Sequence, residues 1–381
     1  MEVPNRARIV MWELTRACKL SCLHCPSGAQ HRRSPLELST YEAYKTIDQV
    51  VALGPEELII TGGDPLERPD IYELINYASR RGIQPTLTVS ATQTLTGATI
   101  SKLRINGLTR LAVSIDSATP SQHDAERGIS GQFATTLLAT RWARTAGITT
   151  EVNTLVTRRN MGELETLSSL LSELGIQRWN VYFTVPIGAS SSINAPNADE
   201  VESVLEQLAS IDNRVPFAIR TFEAPQYRRV LLQKALEAKQ RSIDEFFGAE
   251  SANAALLEIA NARATTDRNE MIFISHTGEV SISAFLPMTA GNVRYQPLTS
   301  IHRGAELFAS LRNEHSLKGK CGHCEFRRTC GGSRARAFAV TGDLFASDPL
   351  CSYQPGAYIA AAPTVARRGD ERAARPEASH V

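Results

Sequence analysis

The stretch Ile9-Val-Met-Trp-Glu-Leu-Thr15, followed two residues later by Cys18-Lys-Leu-Ser-Cys22-Leu-His-Cys25, decides how the chain is read. A β-prone apolar run ends in three closely spaced cysteines. Three such thiolates can hold three corners of a cubane iron–sulfur cluster and leave the fourth iron without a protein ligand. An open metal position is what a catalytic site requires. Zinc completed by His24 or His31 is the alternative that spacing leaves standing.

Outward from this stretch, strand-like and helix-like runs alternate. Strands are expected at Ile9–Thr15, Glu57–Thr61, Pro85–Ser90, Arg110–Ile115, Thr149–Val156 and Arg178–Val185, all rich in Val, Ile, Leu and Thr. Helical patterns fall near Ser39–Leu53, Asp70–Arg81, Ala98–Asn106, Gln132–Thr145 and Asn160–Leu174. Ser39 and Glu42 have capping-box spacing, and Gly54, Gly82, Gly107, Gly147 and Gly175 sit where helices should stop. Strands separated by helices imply a parallel sheet. Six fall short of the eight of a closed barrel. The expected fold class is therefore α/β: a partial (β/α)6 barrel over residues 1–196, with a cysteine-rich C-terminal lobe.

Residues 197–268 are charged and Ala/Leu-rich, and read as a helical connection. Met271–Ser275 and Glu279–Ser283 read as a β-hairpin turning at Thr277-Gly278. A second cysteine group follows, Cys321-x2-Cys324-x5-Cys330-x20-Cys351, in a stretch with little periodicity. Four thiolates satisfy either a cluster or a tetrahedral zinc, so residues 269–355 read as a lobe stapled by its ligand. Residues 356–381, rich in Ala, Arg, Pro and Glu, read as a disordered tail.

Composition narrows the function classes. Among 381 residues, 41 Lys and Arg face 40 Asp and Glu, a net charge of +1 that makes no electrostatic case for nucleic acid or an anionic membrane. No apolar run approaches the 18 residues of a membrane span, and the N-terminus lacks the core of a secretory signal. A cytoplasmic setting is expected. All seven cysteines belong to the two groups. In a reducing compartment, clustering of this kind points to metal or catalysis rather than disulfides.

Cys-x3-Cys-x2-Cys after a first strand resembles the radical S-adenosylmethionine enzymes. The resemblance implies a [4Fe–4S] cluster on Cys18, Cys22 and Cys25 whose open iron chelates S-adenosylmethionine. One electron then cleaves the sulfonium to methionine and a 5′-deoxyadenosyl radical, which abstracts hydrogen from substrate. An external donor such as flavodoxin or ferredoxin is implied. His24 stands where the family usually has an aromatic residue. Gly62-Gly63-Asp64-Pro65 resembles the family's Gly-Gly-Glu motif, with Asp for Glu. Ser90, Ser114, Asp116 and Asn153, with Thr92 and Val185-Pro186 nearby, fall at or near the carboxyl ends of expected strands, where α/β folds bind ligands. By the resemblance, these positions contact S-adenosylmethionine.

The C-terminal lobe resembles the SPASM domain of the same superfamily, which implies a second, auxiliary [4Fe–4S] cluster on Cys321, Cys324, Cys330 and Cys351. Ser283 stands where members with two auxiliary clusters have cysteine, which argues for one here. A fully ligated cluster offers no open iron, so its expected task is to accept an electron in a net oxidative reaction. Cys330-Gly-Gly-Ser-Arg-Ala-Arg through Ser347-Asp-Pro-Leu-Cys351, together with Phe285-Leu-Pro287 and Gly291-Asn-Val-Arg294, is similar to the tetrapyrrole-modifying branch. That branch includes the alternative haem-pathway decarboxylase, which acts on iron-coproporphyrin propionates.

The expected activity is oxidative modification of a tetrapyrrole, with propionate decarboxylation the specific form. Arg32, Arg33, Arg294, Arg334 and Arg336 are candidates to hold propionates. A peptide or small natural-product precursor is the alternative substrate. Only 17 residues precede Cys18, which leaves no room there for the leader-recognition domain common in peptide maturases. A two-site zinc module is the alternative of another class. His24, His31, His276 and His323 receive no role, and no catalytic acid or base is assigned.

Overall fold

The computed structural model describes residues 7–20, 22, 25, 28–187, 194–238, 261, 263–265 and 270–356. Its frame is one sheet of linear order β10-β9-β8-β1-β2-β3-β4-β5-β6-β7. The strands are β1 Ile9–Glu13, β2 Glu57–Thr61, β3 Pro85–Thr88, β4 Arg110–Ser114, β5 Thr149–Leu155, β6 Arg178–Tyr182, β7 Ala218–Phe222, β8 Met271–Ile274, β9 Glu279–Ser281 and β10 Gly291–Asn292. β1 to β7 pair in parallel, each with the next, and β8 runs parallel to the free side of β1. Parallel neighbours need crossover connections, and helices supply most of them. They are α1 Thr40–Leu53, α2 Ile71–Arg80, α3 Gly97–Ile105, α4 Pro120–Arg127, α5 Gln132–Thr145, α6 Leu164–Leu174, α7 Ala198–Asp212 and α8 Gln226–Ala238.

Local sequence explains the regular parts. The Ser39–Glu42 capping box forms at the start of α1, and Gly54 closes that helix at φ 70°. Ala43, Thr46, Ile47 and Val50 of α1 are buried, which is the i, i+3, i+4, i+7 stripe of a helix laid on a sheet. The hairpin forms as expected: β8 and β9 are antiparallel, with Gly278 at φ 86° in their turn.

Two features depart from the sequence reading. A seventh parallel strand, β7, lies inside the stretch read as helical, and β8 joins the barrel sheet rather than a separate lobe. β7 is hard to see in sequence because the inward residue at its centre is Arg220. Its charge is met by Glu57 of β2, at 2.7 Å across the barrel. Helix α4 was likewise not anticipated. Residues 239–260, most of 261–269 and 357–381, which include the expected tail, lie outside the described residues.

Side chains alternate across the strands. Val10, Trp12, Leu58, Ile60, Leu111, Val113, Val152, Trp179 and Ile219 face the helices and form the main core. The inner face is tiered. Glu57 binds Arg178 and Arg220 at the amino ends. Above it Ile9, Ile59, Phe222 and Met271 pack with Met11 and Tyr182. The third tier, at the carboxyl ends, is open. No helix among the described residues is long and apolar enough to cross a membrane.

Candidate radical site and second cysteine site

The open tier is a cavity of about 220 Å³. Period-two alternation sends one residue after another into it: Met11 and Glu13, Ile59 and Thr61, Thr88 and Ser90, Ser114 and Asp116, Asn153 and Leu155. Cys18, Cys22 and Cys25 line the same cavity, as do Gly62 and Gly63. Cysteines, glycines and strand-end polar residues singled out in the sequence thus share one wall system.

The cysteine loop is gathered at its neck by a bridge between Ala17 and Gln30, with Cys18 N donating to Gln30 O at 2.8 Å. Leu20 N donates to Cys18 Sγ and Ala29 N to Cys25 Sγ, both at 3.4 Å. Gly62 and Gly63 lie directly against the strand that leads into this loop. Gly63 N donates to Thr15 O at 2.8 Å, and a Cβ added at Gly63 would stand 2.4 Å from Ala17 O. Only glycine permits that approach.

Asp64 and Pro65 are not among the cavity-lining residues. The Asp64 carboxylate, fully buried, caps the short 3-10 turn Pro65–Glu67 by accepting from Leu66 N and also accepts from Thr92 Oγ1. Burial pushes its carboxyl up to about 7. With a side chain one methylene shorter than Glu, this position supports the Gly-Gly turn from behind. Asn153 Oδ1 accepts from Asn180 at 3.0 Å. Val185 lines the cavity and Pro186 does not.

Sequence reasoning missed Arg127 and Glu13. Arg127, the last residue of α4, lines the cavity with Nη2 2.6 Å from Asp116 and Nη1 4.0 Å from Cys22 Sγ. Burial raises the Cys22 thiol, and the Arg127 guanidinium opposes that shift. Glu13 ends β1, pairs with Arg16 at 2.9 Å and meets the buried His276 ring at 2.6 Å. Neither had a spacing signal, because the contacts join distant segments.

The second group also converges. Cys321, Cys324, Cys330 and Cys351 line one small pocket with Arg229, Lys320, Arg327 and Tyr353. Burial pushes Cys324 up to about 12 and Cys330 well above the usual thiol range. None of the seven cysteines is joined in a disulfide.

The arginines expected to hold propionates do not line the cavity. Arg334 and Arg336 are buried: Arg334 donates to the carbonyls of Leu344 and Ala346, and Arg336 pairs with Asp348. Arg294 binds Glu42 and the carbonyls of Thr277 and Leu36. Arg33 pairs with Glu37, and Arg32 is exposed. Arginine beside carbonyls and carboxylates serves as a multi-donor brace, a use that composition does not distinguish from ligand binding. His31 and His323 are exposed, and His24 lies outside the described residues.

The donor sets fit iron–sulfur chemistry. Each is made of thiols alone, the soft ligands such clusters take.

Residues 12–171 match the model of the radical SAM superfamily. The chain is 35% identical to the AdoMet-dependent heme synthase of Methanosarcina barkeri over 92% of its own length and 98% of that protein. It is also 35% identical to the AdoMet-dependent heme synthase of Oleidesulfovibrio alaskensis, over 91% of this chain and 88% of that one. Among solved structures it is similar in fold to Streptococcus suis SuiB bound to S-adenosylmethionine, with a TM-score of 0.69 at 14% identity over 92% of this chain and 78% of that chain. With its cavity at the carboxyl ends of a partial barrel and its cysteine triad at the mouth of β1, the chain belongs to the radical SAM superfamily and is an enzyme of that type, with a [4Fe–4S] cluster and S-adenosylmethionine as its cofactors.

Proposed function

We propose that this enzyme oxidatively decarboxylates propionate side chains of a tetrapyrrole. The observation that carries the reading is the 35% identity, over nearly the whole of both chains, to a protein named AdoMet-dependent heme synthase. When bound, the cluster and S-adenosylmethionine supply a 5′-deoxyadenosyl radical that takes one hydrogen atom from the propionate, after which loss of CO2 and one electron leaves a vinyl group.

The chain's own residues supply position. Cys18, Cys22 and Cys25 would hold the radical-generating cluster. Gly62 and Gly63 let backbone approach the cofactor, and Ser90, Ser114, Asp116 and Asn153 offer hydroxyl, carboxylate and amide groups to its polar parts. A cavity of about 220 Å³ is small for a macrocycle beside a nucleoside. In this reading the ring body stays at the mouth and one propionate reaches inward, toward Arg127.

Cys321, Cys324, Cys330 and Cys351 would hold an auxiliary [4Fe–4S] cluster that receives the departing electron. Their shared pocket and surrounding cations support this assignment. Residues 1–196 then carry the radical chemistry, 197–268 connect, and 269–355 hold the second cluster, although β7 and β8 complete the first stretch's sheet. A one-electron donor such as flavodoxin or ferredoxin would prime the first cluster in a reducing, cytoplasmic setting.

The test is anaerobic incubation of reconstituted protein with iron-coproporphyrin III, S-adenosylmethionine and reductant. The expected products are 5′-deoxyadenosine, CO2 and a porphyrin lighter by one carboxyl group and one hydrogen per propionate. Formation of 5′-deoxyadenosine with an unchanged porphyrin mass overturns the substrate assignment.

A further inference from the structure

The residues around the second cysteine group include one whose hydrogen bonding is incomplete. Arg229, on the first turn of α8, is 2% exposed and lines the four-cysteine pocket. Its Nη1 donates to Gln233 Oε1 at 2.6 Å, and its Nη2 pairs with Glu202. The guanidinium stacks over the Tyr353 ring at 4.6 Å from the centroid. Held on three sides in this way, the group cannot swing to solvent. Yet Nε is buried with no hydrogen-bond partner among the described residues. Leaving a buried donor unmet costs about 1 to 3 kcal/mol. A side chain fixed this firmly, with one N–H unspent beside four thiols, is arranged for an acceptor that arrives later.

The neighbouring cations are occupied differently. Arg334 reaches Cys321 Sγ at 3.8 Å, but its other donors are committed to the carbonyls of Gly332, Leu344 and Ala346. Lys320 donates to Cys351 O at 2.7 Å. Arg229 and all four cysteines line the same small pocket.

We propose that Arg229 is a positioning and tuning residue of the second site: its Nε–H donates to a sulfur of the bound cluster and its charge raises the cluster's reduction potential. This rests on the auxiliary-cluster reading above. A [4Fe–4S]2+ core with four thiolates carries a net charge of −2, and accepting one electron takes it to −3. A fixed guanidinium stabilises the second state more than the first. Hydrogen bonds to sulfur and local charge are established determinants of such potentials. The electron accepted is the one the substrate radical loses, so Arg229 would favour forward oxidation.

The experiment uses the full chain carrying Cys18→Ala, Cys22→Ala and Cys25→Ala, so that only the second site can hold a cluster. Potentiometric titration followed by electron paramagnetic resonance compares Arg229 with Arg229→Gln and Arg229→Lys. Arg229→Gln is expected to lower the reduction equilibrium constant tenfold or more, about 59 mV for one electron. Arg229→Lys, which keeps the charge but not the fixed fork, should fall between the two. An unchanged potential at unchanged iron content overturns the proposal. So does equal loss of iron in both variants, which would mark Arg229 as a structural brace. Zinc in the parent's second site would instead remove the auxiliary-cluster reading itself, and the tuning role with it.

Discussion

Arg336 Nη1 stands 2.9 Å from Asp348 Oδ2, with both side chains almost wholly withdrawn from solvent. The pair ties the two sites together. Arg336 Nε donates to the carbonyl of Thr184, a cavity-lining residue, and Nη2 donates to Glu223 O. Asp348 accepts from Ser333 N and Leu350 N, in the segments that carry Cys330 and Cys351, and from Gln226 Nε2 at the start of α8. Glu223 adds a second tie. Its backbone sits at φ 56°, rare for a non-glycine residue, and its carboxylate accepts from Ser283 and Ser333 at 2.7 and 2.6 Å.

Breaking that pair should be severe. Burial alone would raise the Asp348 carboxyl, but Arg336 and the backbone N–H groups outweigh it and hold the carboxyl below its ordinary range. Asp348→Ala leaves a buried guanidinium uncompensated, at a cost of about 3 to 5 kcal/mol. Replacing both partners, as Arg336→Met with Asp348→Leu, should cost less than Asp348→Ala alone. Chemical unfolding of the three proteins measures the order, and a double variant at least as unstable as Asp348→Ala contradicts it.

The floor of the barrel predicts a pH dependence. Burial acts to raise Glu57, but Arg220 and Arg178 overcome it and lower its carboxyl to about 2. A carboxyl depressed on folding contributes stability above its unfolded value, near 4.5, and that contribution fades as pH falls toward 2. A shift of this size is worth about 3 kcal/mol. Unfolding free energy should therefore decline across that window and decline less steeply in Glu57→Gln. Parallel pH profiles for the two proteins would exclude Glu57 as the titrating group.

Much of the first site was legible because its chemistry is local. Cys18, Cys22 and Cys25 lie within eight residues, and Gly62-Gly63 follows a strand directly. Ser90, Ser114, Asp116 and Asn153 could be found because strand ends are where a parallel sheet opens. What sequence did not show depends on tertiary pairing. β7 was hidden by Arg220, whose charge makes sense only opposite Glu57. Arg127 lies 105 residues from the cysteine it approaches. Arg334 and Arg336 read as ligand-binding groups until their carbonyl and Asp348 partners were in view. The partners of the Asp64 side chain, Leu66 N and Thr92 Oγ1, were likewise not readable from its motif.

The contact between Gly63 and the cysteine loop gives a steric prediction. In Gly63→Ala the new methyl would lie 2.4 Å from Ala17 O and 2.7 Å from Arg16 O, both backbone atoms. Backbone must move, and the loop that begins at Cys18 moves with it. Iron bound at the first site should fall sharply; with the second cluster present as proposed, iron there persists and the total drops from about eight per chain to about four. Equal loss at both sites would indicate global unfolding instead.

The two cysteine groups should separate radical formation from product formation. Cys22→Ala removes a thiolate from the open-iron site, so 5′-deoxyadenosine production should vanish with every substrate. Cys330→Ala acts on the second group, in a buried pocket lined by none of the first three cysteines. That variant should still cleave S-adenosylmethionine and release 5′-deoxyadenosine while product falls at least tenfold, as the electron-acceptor role proposed for the second site requires. Quantifying both compounds from one anaerobic reaction makes the comparison internal. Full product from Cys330→Ala would remove the acceptor role from the second site, and loss of both compounds would contradict the separation, with the Arg336–Asp348 pair as the structural link to test next.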